Sequence, residues 1–173
     1  MYKRQVFAHT LQESRFQRTV VSPAGAFGLM QVRPGTARDV ARWRGDLGTG
    51  DLRIPAVNMD MGQSYLQYLS KDPSTGGQLP KVIAAYNAGP APIARWQSEI
   101  RDNGDPLLYM ESIPYWETRG YVGIVLRNYW MYEAQQGKRS VSRAALAQGK
   151  WPRFPDGKDR TRLSYTGGLA NAD

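Results

Sequence analysis

From Glu117 to Gln136 the chain carries Val122, Val125, Leu126, Tyr129 and Tyr132 on one apolar stripe, and Gly137 follows to close it. That spacing predicts one long amphipathic helix, the clearest element in the sequence. Helical spacing recurs upstream. Val6, Phe7, Thr10, Leu11 and Ser14 predict a helix over residues 2–16 that ends near Glu13, and Val57, Met61, Tyr65, Tyr68 and Leu69 predict another over about 57–70. A helix over Leu79 to Ala88 is expected to stop at Gly89 in a left-handed conformation, with Pro90 just beyond. Pro34 suits a helix start leading into residues 36–43, after a short helical turn at Leu29 to Val32. Residues 91–97 read as one or two more helical turns before a polar loop at Arg101 to Pro106. Strand signals are weak and no repeat is visible, so the fold class is mainly α.

With 173 residues the chain suits one domain and a tail. The domain is expected over residues 1–137. Residues 138–173 form a basic C-terminal extension with scattered Gly and Pro and a short helix near Ser142 to Ala147. No apolar run is long enough to span a bilayer, and the first residues hold no apolar signal core. The absence of cysteine excludes a disulfide framework, thiolate catalysis and a Cys-based zinc site. His9 is the sole histidine, so a multi-histidine metal site is impossible, and its expected place is the surface of the first helix. Lys and Arg number 23 against 15 Asp and Glu, a formal charge of +8. That balance suits nucleic acid, an anionic membrane or an acidic cell-wall polymer, and equally a basic soluble surface. No nucleic-acid motif accompanies it.

Chemistry has few other candidates than Glu13. It ends an apolar helical stretch and is followed by the Gly-containing segment Ser22 to Gln31. Apolar enclosure disfavours a charged carboxylate and would raise its pKa into the range of a general acid. Gly25 and Gly28 suit close backbone approach near the acid. Phe27, Leu29 and Met30 are expected to form its low-dielectric wall. No second acidic residue lies near Glu13 in the chain, the nearest downstream being Asp39, whereas hydrolytic glycosidases use two carboxyls.

Four segments carry a resemblance. They are Gln12-Glu13-Ser14-Arg15-Phe16; Ser22-Pro23-Ala24-Gly25-Ala26-Phe27-Gly28-Leu29-Met30-Gln31 running on to Pro34-Gly35-Thr36-Ala37; Ala84-Ala85-Tyr86-Asn87-Ala88-Gly89-Pro90; and Glu111-Ser112-Ile113-Pro114 with Glu117-Thr118-Arg119-Gly120-Tyr121-Val122. In this order, with Asn58, Gly62, Tyr65 and Leu66 between them, they resemble the catalytic domain of soluble lytic transglycosylases over residues 4–136. Those enzymes cleave bacterial peptidoglycan and share a lysozyme-like fold. The resemblance implies that Glu13 is the single acid/base acting between N-acetylmuramic acid and N-acetylglucosamine. The substrate's own 6-hydroxyl would take the place of water and leave a 1,6-anhydro sugar. It implies a periplasmic monomer acting on peptidoglycan glycan strands, with no cofactor, no metal, no nucleic acid and no integral membrane segment.

The resemblance also implies substrate-binding roles for Ser22, Gln31, Ala85, Tyr86, Glu111 and Tyr132. Ser22 before Pro23 equally suits a turn. Tyr86 would point its hydroxyl at the catalytic carboxyl, and Asn87 would order the turn at Gly89. Glu111 would hold the cleft's hydrogen bonds or stand as a surface acid. Tyr132 would face the cleft or pack on the stripe. Two departures stand out. Val32-Arg33 occupies the place of the family's second Met, and Arg33 is expected to point outward. The acid also comes at position 13, where the family has a further helical segment before it, so the chain looks like a fragment or one whose start is missing. A hydrolytic lysozyme of similar fold and a non-catalytic wall-binding module are the alternatives.

Overall fold

A computed structural model describes residues 2–155. Among the described residues eight helices run in the order α1 (Tyr2–Ser14), α2 (Pro34–Arg44), α3 (Pro55–Lys71), α4 (Leu79–Ala88), α5 (Pro90–Glu99), α6 (Pro106–Glu111), α7 (Trp116–Gln135) and α8 (Val141–Ala147). Helices α2 to α6 each carry proline at the first or second position, where the missing N–H costs nothing and the fixed φ favours the turn. Asp105 caps α6 by accepting from Leu107 N and Leu108 N, and Ser140 Oγ caps α8 by accepting from Arg143 N. Among the described residues no strand forms, and β pairing is limited to isolated bridges.

Helix α4 is the hub because it is apolar on most sides: Leu79, Val82, Ile83, Ala84 and Ala85 are all buried. It packs against α3, α5 and α7, while α7 also lies along α1. The stripe of α7 does what its spacing demands, with Val122, Val125 and Leu126 each at most 1% exposed. Burying each of these contributes roughly 1.5–3 kcal/mol. Helices α1 and α7 are antiparallel, since Glu13 meets Tyr121, Ala8 O meets Asn128 and Arg4 meets Glu133.

Beyond α8 the chain returns to α4. Leu79 N donates to Pro152 O and Phe154 N to Gly77 O, both at 2.8 Å, around a Gln78–Arg153 bridge. Trp151 packs its ring edge-on to Tyr109 at 5.3 Å, and Lys81 Nζ lies 4.6 Å from the Trp151 ring and 5.0 Å from that of Tyr109. The rest of the basic extension, residues 156–173, lies outside the described residues.

Four local expectations are corrected. Leu29 to Val32 is no helical turn: Gly28 (φ 67°) and Gln31 (φ 46°) both have positive φ, and the turn closes a Phe27–Val32 pair. Gly89 has positive φ, but its ψ of 162° is extended, because it ends α4 and begins α5 at once. Helix α6 starts at Pro106, read as the end of a loop, and runs to Glu111 over residues the sequence left unassigned, since six residues leave no periodicity to detect. His9 is not on the surface; it is fully buried. Its position on α1 faces α4 and α7, and a single histidine says nothing about which way its helix is turned.

Candidate active site

Helix α1 stops abruptly after Ser14, where Arg15 (φ 51°) and Phe16 (φ 63°) take left-handed conformations and reverse the chain. Ser14 Oγ donates to Leu29 O at 2.8 Å, tying the helix end to the following loop. Asn58 of α3 shapes that loop from beneath. Its Oδ1 accepts from Met30 N at 2.8 Å, and its Nδ2 donates to Phe27 O at 2.6 Å and Leu52 O at 3.0 Å. The loop lies so close to α3 that a Cβ on Gly62 would come within 2.7 Å of Met30 Cβ, and one on Gly28 within 2.9 Å of Asn58 Nδ2. Glycine is required at both positions.

Glu13 therefore projects from the last turn of α1 into a groove of about 370 Å³. Ala26, Val32, Tyr65, Tyr86 and Ala88 provide most of its apolar wall. Burial is the main cause that pushes the Glu13 pKa up to about 7; Tyr121 pulls it down by donating to Oε1 at 2.5 Å, and the charge of Glu117 pushes it up. Tyr121 stays a donor because burial first, and Glu13 next, raise its phenol well above its ordinary value. Behind the acid, one turn earlier on α1, His9 places its ring edge-on to Tyr86 at 4.9 Å and near Tyr121 at 6.1 Å. Its Nδ1 lies 2.7 Å from Gln5 O, which assigns the proton to Nδ1. Burial lowers its pKa to about 4, opposed by that hydrogen bond, so the ring brings no positive charge to Glu13 near neutral pH.

Of the residues singled out in the sequence, Glu13, Ser22, Gln31 and Tyr86 come together along this groove. Ser22 Oγ accepts from Ala26 N at 3.0 Å, so it is a turn residue and a groove residue at once. Gln31 commits Nε2 to Gly28 O and Val20 O and keeps Oε1 for a ligand. Tyr86 does not give its hydroxyl to the carboxyl: it donates to Met30 O at 2.9 Å, and the phenol at the carboxyl is Tyr121. Asn87 does not order the turn at Gly89; its Oδ1 accepts from Thr118 Oγ1 of α7 at 2.6 Å. The wall expected from Phe27, Leu29 and Met30 is displaced by one layer, since Met30 is fully buried behind the lining. Arg33 is exposed at the rim and is not among the groups that set the Glu13 pKa.

Three residues stand apart from the groove. Ala85 is fully buried in the core of α4. Glu111 is exposed at the end of α6, with no hydrogen bond or ion pair among the described residues. Tyr132 packs edge-on to Phe7 at 6.0 Å, and it lies three turns of α7, about 16 Å, beyond Tyr121. Conversely, Tyr121, Tyr65 and Asn58 are site residues whose roles the sequence left unassigned. The available signal for Tyr121 was its place at the start of the α7 stripe, where a buried phenol needs a polar partner. Glu117 is a second carboxylate near Glu13 that becomes a neighbour only through the α1–α7 pairing. Among the described residues no group of acidic or histidine side chains could hold a metal ion.

The transglycosylase SLT domain family matches residues 2–107, more than half of the chain. The chain belongs to that family. A soluble lytic murein transglycosylase of Salmonella typhimurium is 37% identical over 148 residues, 82% of this chain and 22% of its own length. The 70 kDa soluble lytic transglycosylase of Escherichia coli superposes with a TM-score of 0.73 at 34% identity, covering 87% of this chain and 24% of that one. A lytic transglycosylase of Pseudomonas aeruginosa, solved as an inactive mutant with glutamine in place of one glutamate, superposes at 0.71 with 34% identity, over 79% of this chain and 22% of that one. This SLT domain chain thus spans between a fifth and a quarter of the length of these relatives, and its fold is mainly α and lysozyme-like.

Proposed function

We propose that this SLT domain cleaves peptidoglycan glycan strands as a lytic transglycosylase, with Glu13 as its single acid/base. One observation carries the reading: among the described residues Glu13 is the sole acidic group lining the groove, and its pKa of about 7 lets it both hold and release a proton near neutrality. Protonated Glu13 donates to the glycosidic oxygen, and the bond to the muramic acid anomeric carbon breaks. The resulting carboxylate, steadied by Tyr121, takes the proton of the 6-hydroxyl as that oxygen attacks the anomeric carbon. The product is a 1,6-anhydro ring, and no water is consumed. An inactive Glu-to-Gln mutant among the solved neighbours accords with a reaction that turns on one glutamate.

Ser22, Gln31 and Tyr86 bind or order the substrate in this reading. The formal charge of +8 suits a polymer whose lactyl groups and stem peptides bear carboxylates. Residues 1–137 act as the catalytic domain and 138–173 as its extension, working as a monomer in the periplasm. Among the described residues no helix is long and apolar enough to cross a membrane. A second reading, hydrolysis, draws support from Glu117, which could activate water if it reached the sugar. Digestion of purified sacculi followed by mass analysis of the muropeptides separates the two: anhydro ends are expected, and reducing ends one water heavier would sink the transglycosylase reading.

A further inference from the structure

A second depression, of about 610 Å³, adjoins the Glu13 groove on its α2 side. The two share Ala24, Arg33 and Thr36, and the second runs on to Arg38 and Asp39. Arg33 therefore faces both. Three other arginines of residues 33–54 each meet a carboxylate: Arg42 reaches Asp39 at 3.3 Å, Arg44 reaches Asp46 at 2.8 Å, and Arg53 reaches Asp51 at 3.2 Å. Arg33 and Arg38, the two that line the depression, are exposed and have no hydrogen bond or ion pair among the described residues. The Arg38 guanidinium lies over the first turn of α2, since a Cβ built on Gly35 would come 3.9 Å from its Nη2. Asp39 is the one acidic group among the described residues of the lining, and Arg42 already engages it.

Helix stability does not explain Arg33. It is the N-cap of α2, in an extended conformation with φ −81° and ψ 146°, and its side chain makes no cap bond where Ser, Thr, Asp or Asn would stabilise the helix. The positive end of the helix repels a guanidinium, and the first turn of α2 holds no acidic residue to offset it. Arg33 is also a position at which this chain departs from its family's pattern. Two unpaired guanidiniums around one depression suit a carboxylate, because each presents a planar fork of N–H donors that matches its two oxygens.

We propose that Arg33 and Arg38 form a carboxylate-binding site beside the Glu13 groove, which selects glycan strands whose muramic acid carries an anionic group. That group is the lactyl carboxylate of a peptide-free strand or a carboxylate of the stem peptide. The proposal rests on reading the groove as a glycan site. Both arginines are then specificity determinants that act on the strand's charge, away from the bond that Glu13 cleaves.

The test uses the full chain carrying Glu13→Gln, which prevents turnover, in calorimetric titrations with three probes. Chitohexaose has no carboxylate. A hexasaccharide of alternating N-acetylglucosamine and N-acetylmuramic acid has free lactyl carboxylates, and the same hexasaccharide bearing stem peptides has only peptide carboxylates. Adding Arg33→Met is expected to weaken binding of a carboxylate-bearing probe about fivefold, and Arg33→Met with Arg38→Met about tenfold or more. Chitohexaose binding should change less than about twofold in either variant. The loss should shrink as salt rises from about 0.01 M to about 1 M, because exposed charges are screened. A loss on the peptide-free hexasaccharide assigns the lactyl carboxylate, a loss confined to the peptide-bearing one assigns the stem peptide, and either supports the site. No loss on either muramic acid probe overturns it and leaves the groove reading intact. Equal losses on all three probes also overturn it, because the arginines would then be shaping the groove itself. A loss that salt does not diminish overturns it in favour of a steric role. If the chain with both arginines intact binds none of the probes, the groove reading fails along with the site.

Discussion

Two carboxylates sit at opposite ends of the α1–α7 seam: Glu13 on α1, and Glu133 on α7 against Arg4, which lies about 14 Å from Glu13 along α1. At one end Arg4 Nη1 lies 3.5 Å from Oε1 of Glu133, with both side chains under a tenth exposed, and Arg4 Nε donates to Gln136. At the other end Glu13 has a phenol for its partner and no cation. The two helices are the same, but Glu133 is buried outright and Glu13 opens on the groove, and the counter-charge differs. A buried carboxylate facing a guanidinium is held in an ion pair that serves structure. A buried carboxylate facing a neutral donor keeps a proton within reach of neutral pH, and chemistry becomes possible. His9 protects this difference, because a charged imidazole there would make the Glu13 end resemble the Arg4 end.

The largest effect should come from removing the acid. Glu13→Gln is expected to reduce release of muropeptides from sacculi by at least about 10³-fold, and residual cleavage within tenfold of the native rate would sink its role. The same variant tests the burial of Glu13. Its folded pKa of about 7 exceeds the ordinary 4.5, so its favourable contribution is complete below pH 4.5 and is lost as pH rises through 7. The variant should therefore gain on the native chain in that window, reaching an advantage on the order of 3 kcal/mol by pH 8 in urea titrations.

At the other end the loss should be one of stability. Arg4→Met leaves Glu133 uncompensated and should cost about 3–5 kcal/mol, while Arg4→Met with Glu133→Leu should recover most of it. Cleavage per folded molecule should not change in the double variant. If it falls sharply, the two ends are not separate in function.

His9 provides an intermediate effect. Its folded pKa of about 4 lies below the ordinary 6.5, so the unfolded chain takes up a proton first. Stability should then fall as pH drops from 6.5 to 4, by roughly 3 kcal/mol at most. His9→Leu also removes the Nε2 atom that has no hydrogen-bond partner, and it should flatten that slope. A variant with the native slope would show that His9 is not the group responsible. The smallest effect is expected from Tyr121→Phe. Losing the hydrogen bond that lowers the Glu13 pKa should move the alkaline limb of the pH–rate profile upward and slow cleavage about tenfold. An unmoved limb would mean that Tyr121 only fills space.

Much of this was legible beforehand. The helices at 2–14, 34–44, 55–71, 79–88 and 116–135 agree, to within a few residues at their ends, with apolar spacing and proline positions, and the grouping of Glu13 with Ser22, Gln31 and Tyr86 was implied by the resemblance of their motifs to the family. What was hidden depends on long-range pairing. Tyr121 lies 108 residues from Glu13, and no spacing rule links them. Glu117 was invisible as a neighbour for the same reason. Ala85 shares a motif with Tyr86, yet the one-residue step of about 100° turns it into the core, three turns of rise carry Tyr132 away from Tyr121, and Glu111 stands exposed at the end of α6.

By itself the sequence determined the helical class, the absence of cysteine and of histidine clusters, and the carboxyl to propose as the acid, because periodicity and residue chemistry are local properties. The tertiary structure decided the surroundings of that carboxyl. Its pKa depends on burial by α3 and α4 and on a phenol and a carboxylate from α7, and desolvation and through-space charge are set by distance in the fold rather than by order along the chain.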